Sequence, residues 1–311
     1  MLTTPIVARC SETERQAALD VLFRRAPRGV RSELVADALS QADRGEIDLS
    51  GLWIARRLEG NGRVLGAMLT QRLAGRAAAV WAPEVEPSWR RAATARLLLT
   101  LALEDLKESG CLLAQALVDA STPRQAVDDL TAAGMPWITD LVTMRRSTAT
   151  PLEVPHDPFE WLDFSRAGLN EFRRVIEATY VGSLDVPELT GARSLDHVLE
   201  GHQGSKRFEP ALWQVGRIPH EPDAAAVVLV APLPDHDARE IAYLGLTPQA
   251  RGRGLGRAAL ARALLPCGPS ASMLELAVDV RNTPAVRLYE GAGFVAHERR
   301  GVHLIIFEAK S

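Results

Sequence analysis

The sequence predicts an α/β protein made of two tandem domains of one plan, at 1–146 and 159–311, joined by a linker at 147–158. Three observations carry this expectation. A chain of 311 residues, 47% of them hydrophobic, exceeds the usual size of one core and suffices for two. A strand, glycine loop, helix, strand and helix succeed one another within 240–294. The same order, without the glycines of the loop, runs through 52–134.

In the first half, 52–58, 64–71 and 77–82 read as strands, the first two joined by the turn Asn61-Gly62. A helix is expected over 89–109 and a strand over 111–118. Thr148, Thr150, Pro151, Pro155 and Pro158 then interrupt all periodicity, which makes this stretch the linker. Beyond it, 170–179 has the spacing of an amphipathic helix with Phe172, Val175 and Ile176 inward.

The apolar run 241–246 leads into Thr247, Pro248, Gln249, Ala250, Arg251, Gly252, Arg253, Gly254, Leu255 and Gly256. Closely spaced glycines let a backbone approach a ligand, and the N–H groups opening a helix form an anion site. A diphosphate is the natural occupant. A P-loop is excluded, because Arg257, Ala258 and Ala259 follow Gly256 where Lys and Ser or Thr are required. A Rossmann loop would open its domain and precede an acid at a strand end, whereas Glu275 falls inside the apolar run 273–278. Downstream, Thr283 suits an N-cap, Pro284 a first helical position, and Gly291 or Gly293 a helix end.

At these residues the chain resembles the GNAT superfamily of acetyl-coenzyme A-dependent N-acetyltransferases. Arg251, Gly254 and Gly256, with Pro248 just before, match the signature Arg/Gln-x-x-Gly-x-Gly/Ala; Asn282, Ala285, Leu288, Tyr289, Gly293 and Phe294 match Asn-x-x-Ala-x-x-Leu-Tyr-x-x-x-Gly-Phe. The resemblance is specific over 235–300 and implies, for each domain, a mixed and mostly antiparallel sheet flanked by helices. It implies acetyl-coenzyme A as cosubstrate and no metal. It places Leu244, Leu246, Arg251, Gly252, Arg253, Gly254, Leu255, Gly256, Arg257, Asn282 and Ala285 on the coenzyme, with the arginines facing its phosphates. The pantetheine amides would pair with the edge of the strand before the loop.

An amine acceptor is largely protonated at neutral pH, and a departing thiolate needs a proton, so two proton handlers are wanted. By the resemblance, Glu240 is the candidate base, directly or through water, and Tyr289 the candidate acid at the sulfur. The N–H of Leu246 would bind the oxyanion. Glu240 also reads as a solvated charge beside Arg239, and Tyr289 as a ring packed on Val286.

Aligning Pro87 with Pro248, an offset of 161 residues, puts Arg90 under Arg251 and Ala79 under Glu240. Arg91, Ala93 and Ala95 then stand under Gly252, Gly254 and Gly256. Aligning Gly134 with Gly293, an offset of 159, puts Pro123 under Asn282 and Leu130 under Tyr289. The first domain is thus expected to be a degenerate repeat kept for its fold, with coenzyme bound only by the second.

A formal charge of −3 offers no basic field for nucleic acid. No run is long and apolar enough for a bilayer, the first ten residues lack a signal-peptide core, and a cytoplasmic location is the default. Cys10, Cys111 and Cys267 show no metal spacing, and Cys267 is not expected as a nucleophile because direct transfer needs no acyl-enzyme. By the resemblance, the acceptor should meet the segment 166–207. There Asp185 and Glu188 are candidates for an ammonium group and equally for a solvated loop, while His197 and His202 lack a third zinc ligand. The tandem arrangement resembles that of mycothiol synthases in architecture alone. The function classes left are an N-acetyltransferase acting on a small primary amine, a peptide or protein N-acetyltransferase, and an acetyl-coenzyme A sensor without turnover. Glu240 and Tyr289 favour an enzyme.

Overall fold

The structure, a computed structural model, describes residues 5–57, 62–88, 90–204, 208–233, 237–265 and 271–307. Asn61 of the expected turn and Cys267 lie outside them. Two compact units form, one of Met1–Ile138 with Gly301–Ser311 and one of Thr139–Arg300. The expected division at 147–158 therefore differs from the observed one. The units part inside two long strands, not in the proline-rich stretch.

The first unit contains β1 (Ile6–Arg9), α1 (Arg15–Leu22), α2 (Arg28–Asp43), β2 (Leu52–Arg56), β3 (Val64–Leu73), β4 (Ala77–Val80), β5 (Glu84–Val85), α3 (Arg91–Glu108), β6 (Leu113–Val118) and α4 (Arg124–Ala132). β7 (Trp137–Ser147) leads into the second unit, which adds β8 (Glu160–Asp163), α5 (Phe164–Ala167), α6 (Leu169–Tyr180), α7 (Leu195–Gln203), β9 (Trp213–Arg217), β10 (Ala224–Leu233), β11 (Ala238–Leu246), α8 (Gly256–Leu264), β12 (Met273–Asp279) and α9 (Thr283–Gly291). β13 (Val295–Ile306) is the last element among the described residues.

Strand order in the first unit is β1-β2-β3-β4-β6 followed by the end of β13, and in the second it is β8-β9-β10-β11-β12-β7. Every neighbouring pair is antiparallel except β4 with β6 and β11 with β12. The repeat read from sequence is thus a repeat of topology. Each unit takes its last strand from the other half of the chain: Gly301 to Ile306 pair with Val118 to Leu113, and Ser147 to Leu141 pair with Met273 to Asp279.

Both sheets are covered on two faces. In the second unit Val228 and Val230 pack with Leu260 and Ala263 of α8, while Val227 and Leu229 pack with Phe172, Val175 and Ile176 of α6. That is why β10 reads as an unbroken apolar run. The inward residues expected for 170–179 are those observed, in a helix one residue longer at each end. The glycines aligned at 134 and 293 do one job. Each has positive φ, 90° and 85°, and closes a Schellman turn after its helix, with Met135 N–H bonding Leu130 and Phe294 N–H bonding Tyr289. Among the described residues no helix is long and apolar enough to cross a membrane.

Candidate active site

β11 and β12 run parallel from Ala238 and Met273 only as far as Ile241 and Leu276, and then part. Beyond that point Ala277 to Asp279 continue on β7 while β11 stays on β10, so among the described residues one edge of 242–246 has no strand partner. Ala242 is the extra residue of a bulge, since Tyr243 faces Leu229 and Ile241 faces Val230. A cleft of about 570 Å³ occupies the parting, lined by Leu244, Leu246, Gly252, Gly254, Gly256, Arg257, Asn282, Ala285, Asp185 and Tyr289 among others.

Gly252 and Gly254 hold φ of 72° and 76°, and a Cβ at either would meet open space. Their conformation demands glycine, and their bare faces let another molecule approach the backbone. Gly256 opens α8 for a different reason: a Cβ there would stand 3.0 Å from Leu288 Cδ2. The first N–H groups of α8 have no partner within the helix and carry the positive end of its dipole. Leu255 also lines this end of the cleft. These observations fit a diphosphate cradle.

Each of the three arginines has partners within the protein. Arg251 lines the cleft, but its Nε donates to the Leu246 carbonyl at 3.1 Å, Nη1 to Val181 at 2.7 Å and Gly182 at 3.1 Å, and Nη2 to Thr179 at 2.6 Å. It ties the loop to the end of α6. Arg253 is not among the cleft-lining residues and pairs with Glu221 at 3.0 Å. Arg257 lines the cleft and donates to the carbonyls of Glu153 at 3.2 Å and Gly291 at 3.3 Å. Asn282, not Thr283, caps α9, its side chain accepting from Ala285 N–H at 3.4 Å, with Pro284 in the first turn.

Tyr289 is 7% exposed, and its ring packs on Phe294 at 5.8 Å between centroids. Burial, helped by the charge of Asp185, raises its phenol well above the ordinary value, so it holds its proton at neutral pH. Glu240 sits one residue before the parting, facing Ala231 and Glu275 across its two neighbours, and is not among the cleft-lining residues.

Of the two acceptor candidates the structure brings only Asp185 to the cleft. Glu188 instead grips Arg281 through two bonds of 2.6 and 2.8 Å, which lowers its pKa. Arg281 in turn binds Asp279, a fully buried carboxylate that also accepts from Thr139 Oγ1 at 2.7 Å. Burial opposes that charge, but the Arg281 and Thr139 bonds outweigh it and lower the pKa of Asp279. His197 bonds Ser194 Oγ at 2.9 Å; His202 lies between Trp213 and Tyr243, where burial pushes its pKa down to about 4. Sequence reading missed Asp279, Thr139 and Tyr243; the wide spacing of these residues along the chain leaves no local signal.

In the first unit the aligned residues are arranged differently. α3 begins at Arg91, so the residues aligned with the glycine loop are helical, and Arg91 pairs with Asp129 of α4 at 2.6 Å. Leu130, aligned with Tyr289, is fully buried.

Residues 184–294 match the model of the acetyltransferase (GNAT) family. A stretch of 119 residues, 36% of the chain, is 35% identical to a mycothiol acetyltransferase of Beutenbergia cavernae and covers 38% of that protein. The curated relatives are thus matched over less than two fifths of their own length. Among solved structures, a GCN5-related N-acetyltransferase from Sphaerobacter thermophilus superposes with a TM-score of 0.58 at 20% identity, over 97% of this chain and 95% of that one. A tandem GNAT protein from the clavulanic acid biosynthesis pathway does so with 0.53 at 15% identity, over 99% of both chains. Likeness at these identities concerns the fold. It agrees with the paired topology above, while the match to the acetyltransferase (GNAT) family itself covers residues 184–294, which lie within the second unit.

Proposed function

We propose that the second unit transfers acetyl from acetyl-coenzyme A to a primary amine of a small molecule, by direct attack in a ternary complex. The observation that carries this reading is the cleft at the β11–β12 parting, which joins a bare glycine cradle to a buried, protonated tyrosine. Gly252, Gly254, Leu255 and Gly256 would hold the diphosphate through backbone N–H groups, and the open edge of 242–246 would pair with the pantetheine amides. The Leu246 N–H would receive the developing oxyanion. Tyr289 would give its proton to the departing thiolate. A base role for Glu240 would run through water, since it does not line the cleft.

The tyrosine separates this reading from a coenzyme sensor, because a sensor has no use for a proton donor at the sulfur. A mycothiol-type acceptor is the second reading, favoured by the 35% identity to the mycothiol acetyltransferase. Calorimetry of the full chain with acetyl-coenzyme A should give one site per chain, and a library of primary amines should release free thiol. Two sites would contradict the degenerate first unit, and coenzyme binding without any thiol release would favour the sensor.

A further inference from the structure

The segment between α6 and α7 is stitched to the end of β12 by two reciprocal bonds. Asp185 Oδ1 accepts from Asp279 N–H at 3.2 Å, and Asp279 Oδ2 accepts from Val186 N–H at 3.1 Å. Val186 is held at φ 41°, a left-handed conformation that a β-branched residue adopts only under strain. Such strain persists where the surrounding structure over-determines it, and it gathers at functional sites.

Three carboxylates meet at this point, and they are not equivalent. Asp279 is consumed by Thr139, Val186 and Arg281, and Glu188 by Arg281. Asp185 keeps Oδ2 without a hydrogen bond among the described residues, and it lines the cleft. Tyr289, nine-tenths buried, lines the same cleft, and its hydroxyl likewise has no bond to another described residue. The chain's three tyrosines, Tyr180, Tyr243 and Tyr289, all lie within reach of the Asp185 charge, which raises the pKa of each after burial has done most of the work.

Resting on the acetyl-transfer reading, we infer that Asp185 is the carboxylate that docks the acceptor ammonium and takes its proton. The ammonium gives one proton to Asp185 Oδ2, and the freed nitrogen lone pair attacks the thioester carbonyl carbon. As the C–S bond breaks, its electron pair leaves on sulfur, which takes the Tyr289 proton. The second proton shed by nitrogen restores Tyr289, and Asp185 releases the first to solvent. The acceptor is thus a cation held between a carboxylate and phenol rings, a favourable setting for an ammonium. Asp185 is exposed at the cleft wall, yet the chain packed around its carboxyl desolvates it enough to raise its pKa; the Asp279 charge adds to the rise, and the Asp279 N–H and Arg281 oppose it.

The test compares the full chain with Asp185→Asn, Asp185→Glu and Glu240→Gln, using acetyl-coenzyme A with glucosamine, tyramine, spermidine and glycinamide as probes. For any amine the wild type acetylates, Asp185→Asn should lower kcat/KM by about 10² to 10⁴ and move the rising pH limb to the pKa of the amine itself. Asp185→Glu should recover part of the loss, and acetyl-coenzyme A affinity should stay within a few-fold. Glu240→Gln should leave the pH limb in place. If Glu240→Gln moves that limb and Asp185→Asn does not, the assignment is overturned while acetyl transfer stands. Coenzyme binding lost in Asp185→Asn would make the residue structural and overturn it as well. A wild type that binds coenzyme but acetylates no probe would overturn transfer to these amines and the assignment with it.

Discussion

Gly256 and Leu288 are in contact so close that one added carbon at the glycine would lie 3.0 Å from Leu288 Cδ2. The start of α8 and the middle of α9 are therefore set against each other, and both signature motifs line one cleft. Gly256→Ala should cost about 1 to 3 kcal/mol through overpacking and weaken acetyl-coenzyme A. Adding Leu288→Ala should restore binding in part, since it removes the obstructing methyls. A double variant no better than the single would show that Gly256 matters for something other than this contact.

Gly254 meets no such neighbour, so Gly254→Glu should act on the ligand. Its carboxylate would project where phosphate must come, and the φ of 76° adds strain of about 1 kcal/mol. Calorimetry should find acetyl-coenzyme A binding abolished in a chain that still melts cooperatively. Ala93→Glu, at the aligned but exposed helical position, should leave binding unchanged. Equal losses from both changes would mean that the coenzyme does not meet this loop.

Tyr289→Phe keeps the ring and its packing on Phe294 but cannot donate a proton. Coenzyme affinity should hold within a few-fold while turnover falls by about 10² to 10⁴. Raising the pH should not rescue it, because the missing proton is needed at sulfur. Turnover like that of the wild type would reduce Tyr289 to a packing residue.

Asp279→Asn removes a buried charge that Arg281 and Thr139 satisfy, at a cost of about 3 kcal/mol. The folded pKa of Asp279 lies below the unfolded value, so its stabilisation is complete above the unfolded pKa and is lost as pH falls through the folded one. Denaturant midpoints should therefore differ most between wild type and variant at neutral pH and converge on acidification below about pH 4. A gap that widens on acidification would contradict the lowered pKa.

What the sequence shows, and what it hides, divides along the range of the interactions. Gly252, Gly254 and Gly293 are legible because positive φ is a local demand that only a few residue types meet. The face of α6 is legible because Phe172, Val175 and Ile176 repeat at helical spacing. The arginines are not, because the partners of Arg251 sit at the end of a helix some 70 residues earlier in the chain. The cap of α9 falls on Asn282 and not on Thr283, since the helix begins one residue earlier than the threonine cap requires and the asparagine oxygen then reaches Ala285 N–H. The roles of Asp185 and Glu188 diverge only once Arg281 and Asp279 are beside them, more than 90 residues away.

The exchange of final strands has a consequence for inheritance. A gene trimmed to encode residues 148–311 would lose β7, leaving β12 with an unpaired edge beside the cleft, and β13 without the β6 that its last six residues join. Such an edge invites aggregation. A cut in the proline-rich stretch thus takes from the second unit a strand that belongs to it, whereas a cut before Thr139 would not.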